Sequence, residues 1–242
     1  MGGELIGADT VAAASEIVKV AVETLKAAGL TGISVDFTLP DLVDTIAAQD
    51  LALELEMVDA IRRELDTKDA GGLKAVGGEA YLPLLYAAGP FAEALAKLRE
   101  LDAGGALATR LDGLEEIAGA LDDATRLTLD PTERHGFEYQ SWLGFTLYAD
   151  GVRGAAGRGG TYKISGSDEA ATGFTLYVDR LAGVAAQTDG ASTVYLPLGH
   201  DGEVAAALRR DGARTVAQMD EGEDPAALRC THILEGNRPR PL

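Results

Sequence analysis

Ile33, Val35, Phe37 and Leu39 alternate with small or polar residues, a period of two that predicts a half-buried strand, which Pro40 ends. Just before it the period changes. Ile17, Ala21 and Leu25 recur every fourth residue, with Val18 and Val22 beside them, which predicts an amphipathic helix. Asp9 or Thr10 can cap its start by accepting a backbone N–H, and Gly29 supplies the stop after Ala28. Ahead of the helix, Gly2 to Gly7 reads as a short apolar strand closed by glycine.

From Asp41 to about Asp123 the helical period holds throughout. Leu42 to Ala48, Leu51 to Leu65, Phe91 to Leu101 and Leu107 to Leu121 read as separate helices. Gly71-Gly72, Gly77-Gly78, Gly89-Pro90 and Gly104-Gly105 are the expected separators. Strands return at Leu127 to Leu129, Phe145 to Ala149 and Gly160 to Ile164, with Asp150-Gly151 as a turn between the last two. Ala171 to Val184 reads as a helix on a buried face. The tail then predicts a strand (Thr193 to Leu198), a helix (Gly202 to Arg210), a strand (Thr215 to Met219), a short helix (Pro225 to Arg229) and a strand (Thr231 to Leu234).

Composition narrows the function classes. The 242 residues carry a net charge of −18, and an acidic surface repels a phosphate backbone, so a dedicated nucleic-acid binder is not expected. The one candidate basic patch is Arg153, Arg158 and Lys163. No apolar run reaches bilayer-spanning length and no secretory signal is visible, so no membrane partner is expected. The single cysteine, Cys230, excludes an intramolecular disulfide and fits a reducing cytosol, hence a cytoplasmic location.

Most motifs that carry chemistry are missing. There is no phosphate-binding Gly-x-x-x-x-Gly-Lys-Ser/Thr loop, no Cys-x-x-Cys pair and no Gly-x-Ser-x-Gly elbow. His135, His200 and His232 lie far apart without ligand spacing, so no metal is expected, and no cofactor is implied. Gly157-Arg158-Gly159-Gly160 resembles a phosphate loop, but it sits between strands, and a tight hairpin is the better reading.

Four segments, taken in order, carry a resemblance. Gly3-Glu4-Leu5-Ile6-Gly7 resembles the Gly-x-Glu-x-x-Gly strand that follows the motif 2 loop of histidyl-tRNA synthetases. Arg134-His135-Gly136-Phe137-Glu138-Tyr139 resembles their Arg-Gly-Leu-Asp-Tyr-Tyr segment, with Gly136 and Tyr139 on the glycine and first tyrosine. Gly157 to Tyr162 resembles the Gly-Gly-Arg-Tyr-Asp segment, and Ala171 through Leu181 resembles motif 3. The resemblance covers about residues 1 to 185 and implies an α+β (α/β) class II synthetase-like fold. Its antiparallel sheet would be flanked by helices, interrupted by a helical insertion and followed by a short C-terminal α/β appendage. The implied boundaries are 1–40 with 124–188 for a partial core, 41–123 for the insertion and 189–242 for the appendage.

The resemblance also implies a histidine pocket built from Glu4, His135, Tyr139 and Gly173. Glu4 falls where the family places a carboxylate on bound histidine; a solvated strand-end Glu is the plain alternative. Tyr139 falls on the imidazole wall, or else is a core tyrosine. Gly173 would admit close approach of backbone to ligand, or else serves packing. Arg180 is the remnant of motif 3, or else an ion pair at a helix end.

The departures point away from catalysis. Adenylate formation needs an arginine where this sequence has His135; Arg134 is one residue off register. The second tyrosine is Gln140, the arginine of the third segment is Thr161, and its aspartate is Lys163. A pocket that keeps its shape without its catalytic groups is similar to the regulatory subunits of ATP phosphoribosyltransferase. That likeness implies a non-enzymatic subunit partnered with the short-form catalytic subunit, histidine as effector and self-association through the synthetase-like core. The alternative is an incomplete histidyl-tRNA synthetase that activates histidine and charges tRNA. The family's motif 1 and motif 2 arginine have no counterpart before Glu4, so an N-terminally incomplete sequence is the expectation.

Overall fold

Helix α1 (Val11–Ala27) begins where Thr10 turns its hydroxyl onto the N–H of Ala13 at 3.1 Å, relieving one of the amides that a helix start leaves without an acceptor. It ends in a left-handed Gly29 (φ +81°), with Leu30 N–H bonded to Leu25 and Gly29 N–H to Lys26, the paired closure that only a residue tolerant of positive φ permits. Ile17, Val18, Ala21, Val22 and Leu25 are all buried, as their period requires. The computed structural model describes residues 1–49, 55–134, 140–167, 169–184 and 192–242. The chain divides into two compact units, Met1–Ala186 and Gln187–Leu242.

Seven strands form the sheet of the first unit: β1 (Gly2–Ile6), β2 (Ser34–Thr38), β3 (Gly89–Pro90), β4 (Arg126–Leu129), β5 (Gln140–Tyr148), β6 (Gly157–Lys163) and β7 (Ala170–Leu176). Their spatial order is β1-β7-β6-β5-β2-β4-β3. Every pairing is antiparallel except β2 with β4, which run parallel. Strand residues alternate between faces. On one face Val35, Phe37, Leu129, Leu143, Phe145, Leu147, Phe174 and Leu176 join the buried side of α1 in one core.

The helical stretch packs into that same core. It comprises α2 (Leu42–Gln49), α3 (Leu55–Asp66), α4 (Ala70–Ala75), a 3₁₀ segment (Glu79–Tyr86), α5 (Phe91–Leu101) and α6 (Ala108–Gly119). Ile61, Leu65, Leu73, Leu98, Leu111, Leu114 and Ile117 are buried in continuity with the sheet's apolar face. Gly71 and Gly72, read from the sequence as a separator, lie inside α4 because the Asp69 carboxylate caps both of their N–H groups at 2.9 Å.

Two further expectations are corrected in this unit. Ala171 to Val184 is not one helix: β7 runs to Leu176 and only α7 (Val178–Leu181) is helical. Ala171 to Phe174 are buried without alternation, a pattern that periodicity alone cannot separate from a helix. Gly157 to Gly160 is not a hairpin either but the first half of β6. A side chain on Gly159 would run into the Phe145 ring and one on Gly160 into the Gln140 amide, so these glycines permit close packing rather than a turn.

In the second unit β8 (Thr193–Leu196) leads through α8 (Gly202–Arg210) to β9 (Arg214–Ala217), followed by β10 (His232–Glu235) and β11 (Arg238–Pro241). The order is β11-β10-β8-β9, with β8 parallel to both of its neighbours. Val194, Leu196, Ala205 and Leu234 form its small core. Pro225 to Arg229, expected as a helix, is a series of turns that ends at the positive φ of Arg229. Strand β11 was missed, although Gly236-Asn237 between two short runs is a hairpin signal.

Candidate functional site

The face of the sheet away from the core is polar, and strand register aligns it in rows. One row runs Thr175, Arg158, Thr146, Asp36 and Thr128 across β7, β6, β5, β2 and β4. The next runs Glu4, Gly173, Gly160, Gly144 and Thr38 across β1, β7, β6, β5 and β2. Three glycines side by side on three adjacent strands leave a floor at the level of the backbone. Added side-chain carbons would stand 2.7 Å from the Glu4 Cγ at Gly173, 2.6 Å from the Gln140 Nε2 at Gly160 and 2.7 Å from the Gln140 Oε1 at Gly144. Real carbons do not approach so closely, so the floor requires glycine at each position.

A cavity of about 320 Å³ opens above this floor. Glu4 and Tyr162 stand at one side, and the Tyr162 hydroxyl donates to the Glu4 Oε1 at 2.5 Å. Gln140 lies along the glycines, its Nε2 donating to the Gly159 carbonyl at 3.0 Å. Arg158, Thr175 and Tyr177 complete the wall. The cavity therefore offers one carboxylate, one guanidinium, two phenols and an amide around a flat base. That set suits a small, partly planar ligand carrying both charges.

Electrostatics sharpen on the β5–β2 side. Burial, then the neighbouring charges of Asp130 and Asp36, push the Glu133 carboxyl above the ordinary range. Burial, then Asp36 and Glu133, likewise push the Tyr148 phenol up, with Arg158 acting in the opposite sense. Thr128 donates to Asp36 at 2.6 Å. Thr146, between Asp36 and Arg158, is fully buried, and its hydroxyl has no hydrogen-bond partner among the described residues.

Of the residues expected in the pocket, Glu4 and Gly173 face each other across β1 and β7 and both line the cavity. His135 and Tyr139 lie outside the described residues. Arg180 is not among the lining residues. It reaches from α7 to donate to the Ala155 carbonyl at 3.0 Å, with its guanidinium 4.7 Å from the centre of the Tyr177 ring, and so braces the wall from behind. Of the basic patch, Arg158 lines the cavity while Arg153 and Lys163 are exposed. Thr161 is buried on the opposite face, where its hydroxyl accepts from Leu143 N–H at 3.2 Å.

Arg158, Gln140, Tyr162 and Tyr177 were not expected as site residues. Alternation from Gly160 would have placed Arg158 and Tyr162 on its face once β6 was recognised as a strand. Among the described residues no group of His, Cys, Asp or Glu is placed to hold a metal ion, and no helix is long and apolar enough to cross a membrane.

The family model for histidyl-tRNA synthetase matches residues 1–181. The ATP phosphoribosyltransferase regulatory subunit of Rhodospirillum centenum is 37% identical over 250 aligned positions, which cover 98% of this chain and 64% of that protein. The subunit of the same name from Paramagnetospirillum magneticum is 39% identical, with 93% of this chain and 60% of the relative covered. The chain thus spans less than two thirds of the length of these relatives. Among solved structures, an ATP phosphoribosyltransferase regulatory subunit/histidyl-tRNA synthetase from Bacillus halodurans superposes with a TM-score of 0.66 at 22% identity, covering 94% of this chain and 64% of the other. The ATP phosphoribosyl transferase (HisG:HisZ) complex from Thermotoga maritima gives 0.59 at 14% identity, covering 72% and 64%. At those identities the structures establish the fold.

Proposed function

This chain belongs to the histidyl-tRNA synthetase family, and from that premise we propose that it acts as a non-catalytic regulatory subunit of ATP phosphoribosyltransferase, holding free histidine in the cavity above the glycine floor. The observation that carries the reading is the charge arrangement of that cavity. It holds the carboxylate of Glu4 and the guanidinium of Arg158, while the sequence has His135 where the synthetases have their catalytic arginine. The ligand's ammonium group can donate to Glu4 as a charge-assisted bond, and a planar ring can pack against the backbone at Gly173 beside the Gln140 amide. Similarity over nearly the whole of this chain to part of proteins named as regulatory subunits supports the same assignment.

The partner is then the short-form catalytic subunit, histidine is the effector, and the sheet unit is the part that self-associates; the location is cytoplasmic. The net charge of −18 supports the absence of a nucleic-acid partner. Co-expression with the short catalytic subunit, followed by assay of the complex, tests this. Co-purification and a histidine-dependent fall in phosphoribosyl transfer are expected. A catalytic subunit whose activity ignores both this chain and histidine would sink the reading. Histidine-dependent exchange of pyrophosphate into ATP would instead favour the alternative, an incomplete histidyl-tRNA synthetase.

A further inference from the structure

Resting on the histidine reading of this cavity, the geometry points to Arg158, backed by Thr146, as the anchor for the ligand's carboxylate, so that the pocket takes a free α-amino acid and rejects the corresponding amine. Glu4 and Arg158 line the same cavity from strands two apart and one row apart. Two interstrand steps and one two-residue step separate their Cα atoms by about 12 Å. Two inward-reaching side chains shorten that span to the length of one small ligand. A carboxylate at one end and a guanidinium at the other match the two charges of a zwitterion, and the guanidinium's planar fork fits a carboxylate in particular.

Thr146 supplies the second, independent observation. It sits directly opposite Arg158 in the β5–β6 ladder, is fully buried and has a hydroxyl with no partner among the described residues. Its other row neighbour, Asp36, already accepts from Thr128. Buried hydroxyls are nearly always bonded, so one left over beneath an arginine can take an acceptor once the guanidinium turns onto a bound anion; Thr146 itself lies behind the cavity wall rather than in its lining. Arg158 lies three positions along β6 from Thr161 and on the other face. The strand has thus lost a cation from one register position and carries one at another that faces the cavity.

Isothermal titration of the 242-residue chain with L-histidine and with histamine, which has the same ring and amine but no carboxylate, tests the assignment. The native chain is expected to bind histidine at least about tenfold more tightly than histamine, the scale of one charge-assisted pair. Arg158→Gln should lower histidine affinity by a similar factor and leave histamine unchanged, so the ratio falls toward one. Thr146→Val should lower histidine affinity by a smaller factor, again sparing histamine. A folded Arg158→Gln variant that keeps the preference overturns the anchor while leaving the histidine reading intact. A native chain that binds neither ligand overturns both. Should Arg158→Gln fail to fold, Arg158→Lys reports instead. It keeps the charge and loses the fork, so it should weaken histidine selectively, and equal weakening of both ligands would overturn the anchor.

Discussion

The two faces of the seven-stranded sheet are made from the same strands, with neighbouring residues in sequence, and are put to opposite uses. On β5, Phe145 and Leu147 enter the core while Thr146 between them does not join it. On β6, Thr161 is spent inward on Leu143 while Arg158, Gly160 and Tyr162 line a cavity. The inner face is saturated: its side chains are buried, mostly apolar and mutually packed, and its polar groups Thr161 and Thr172 are hydrogen-bonded. The outer face is left incomplete, with a glycine floor, a carboxylate, a guanidinium and an orphaned hydroxyl. Stability is drawn from the first face, and the second carries features that a folded chain tolerates only because the first supports it.

If that division is right, the largest effect belongs to the inner face. Phe37 is fully buried and meets Phe91 edge to face with ring centres 5.7 Å apart. Phe37→Ala should cost about 3–5 kcal/mol, because a cavity is left where the ring was. Urea denaturation of the two proteins measures it, and a loss below about 1 kcal/mol would show that the core is not centred on this strand.

An intermediate effect is expected where the floor is filled. Gly160→Ala puts a carbon 2.6 Å from the Gln140 Nε2, so strand or side chain must shift. A destabilisation of about 1–3 kcal/mol should accompany it, together with loss of histidine binding. Binding that survives with native affinity would mean that the ligand does not rest on the floor.

A smaller effect of opposite sign separates the faces more cleanly. Thr146→Val keeps shape and removes the partnerless hydroxyl, so it should stabilise the unliganded protein by about 1 kcal/mol. The same substitution made at Thr161, whose hydroxyl is bonded, should destabilise. Chemical denaturation of both variants gives the contrast, and a matching sign for the two would erase the distinction drawn between the faces.

The sequence made the inner face readable and the outer face only in part. The period of two at Ile33 to Leu39 and the period of four in α1 both follow from having one apolar side, and the structure places them as read. The segment Ala171 to Leu176 was read as a helix because its first four residues are buried without alternation. With that strand and the start of β6 misread, the rows could not be assembled, and Arg158, Gln140 and Tyr177 went unnoticed as cavity residues. Only resemblance singled out Glu4 and Gly173, which line the cavity, since nothing local distinguishes a cavity-lining Glu from a solvated one. The approach of Gly173 to Glu4 is a property of register between residues far apart in sequence, which periodicity does not carry.

The smallest effect tests the electrostatic side of the outer face. Glu133 is partly buried near Asp130 and Asp36, and its carboxyl holds its proton to higher pH than in an unfolded chain, where a pKa of about 4.3 is ordinary. The folded state therefore gains from this group below that ordinary value, and the gain is lost as pH rises through the raised one. At neutral pH the ionised side chain is a burden that desolvation causes first and the two aspartates increase. Glu133→Gln removes the charge but keeps the shape, so the variant should melt at a slightly higher temperature than the native chain at pH 7. At pH 4, where Glu133 is largely protonated in the folded protein, the difference should vanish. Calorimetry at the two pH values decides it. A gain that is the same at both would place its origin in packing rather than charge, and the outer face would then owe nothing to the crowding of carboxylates around Asp36.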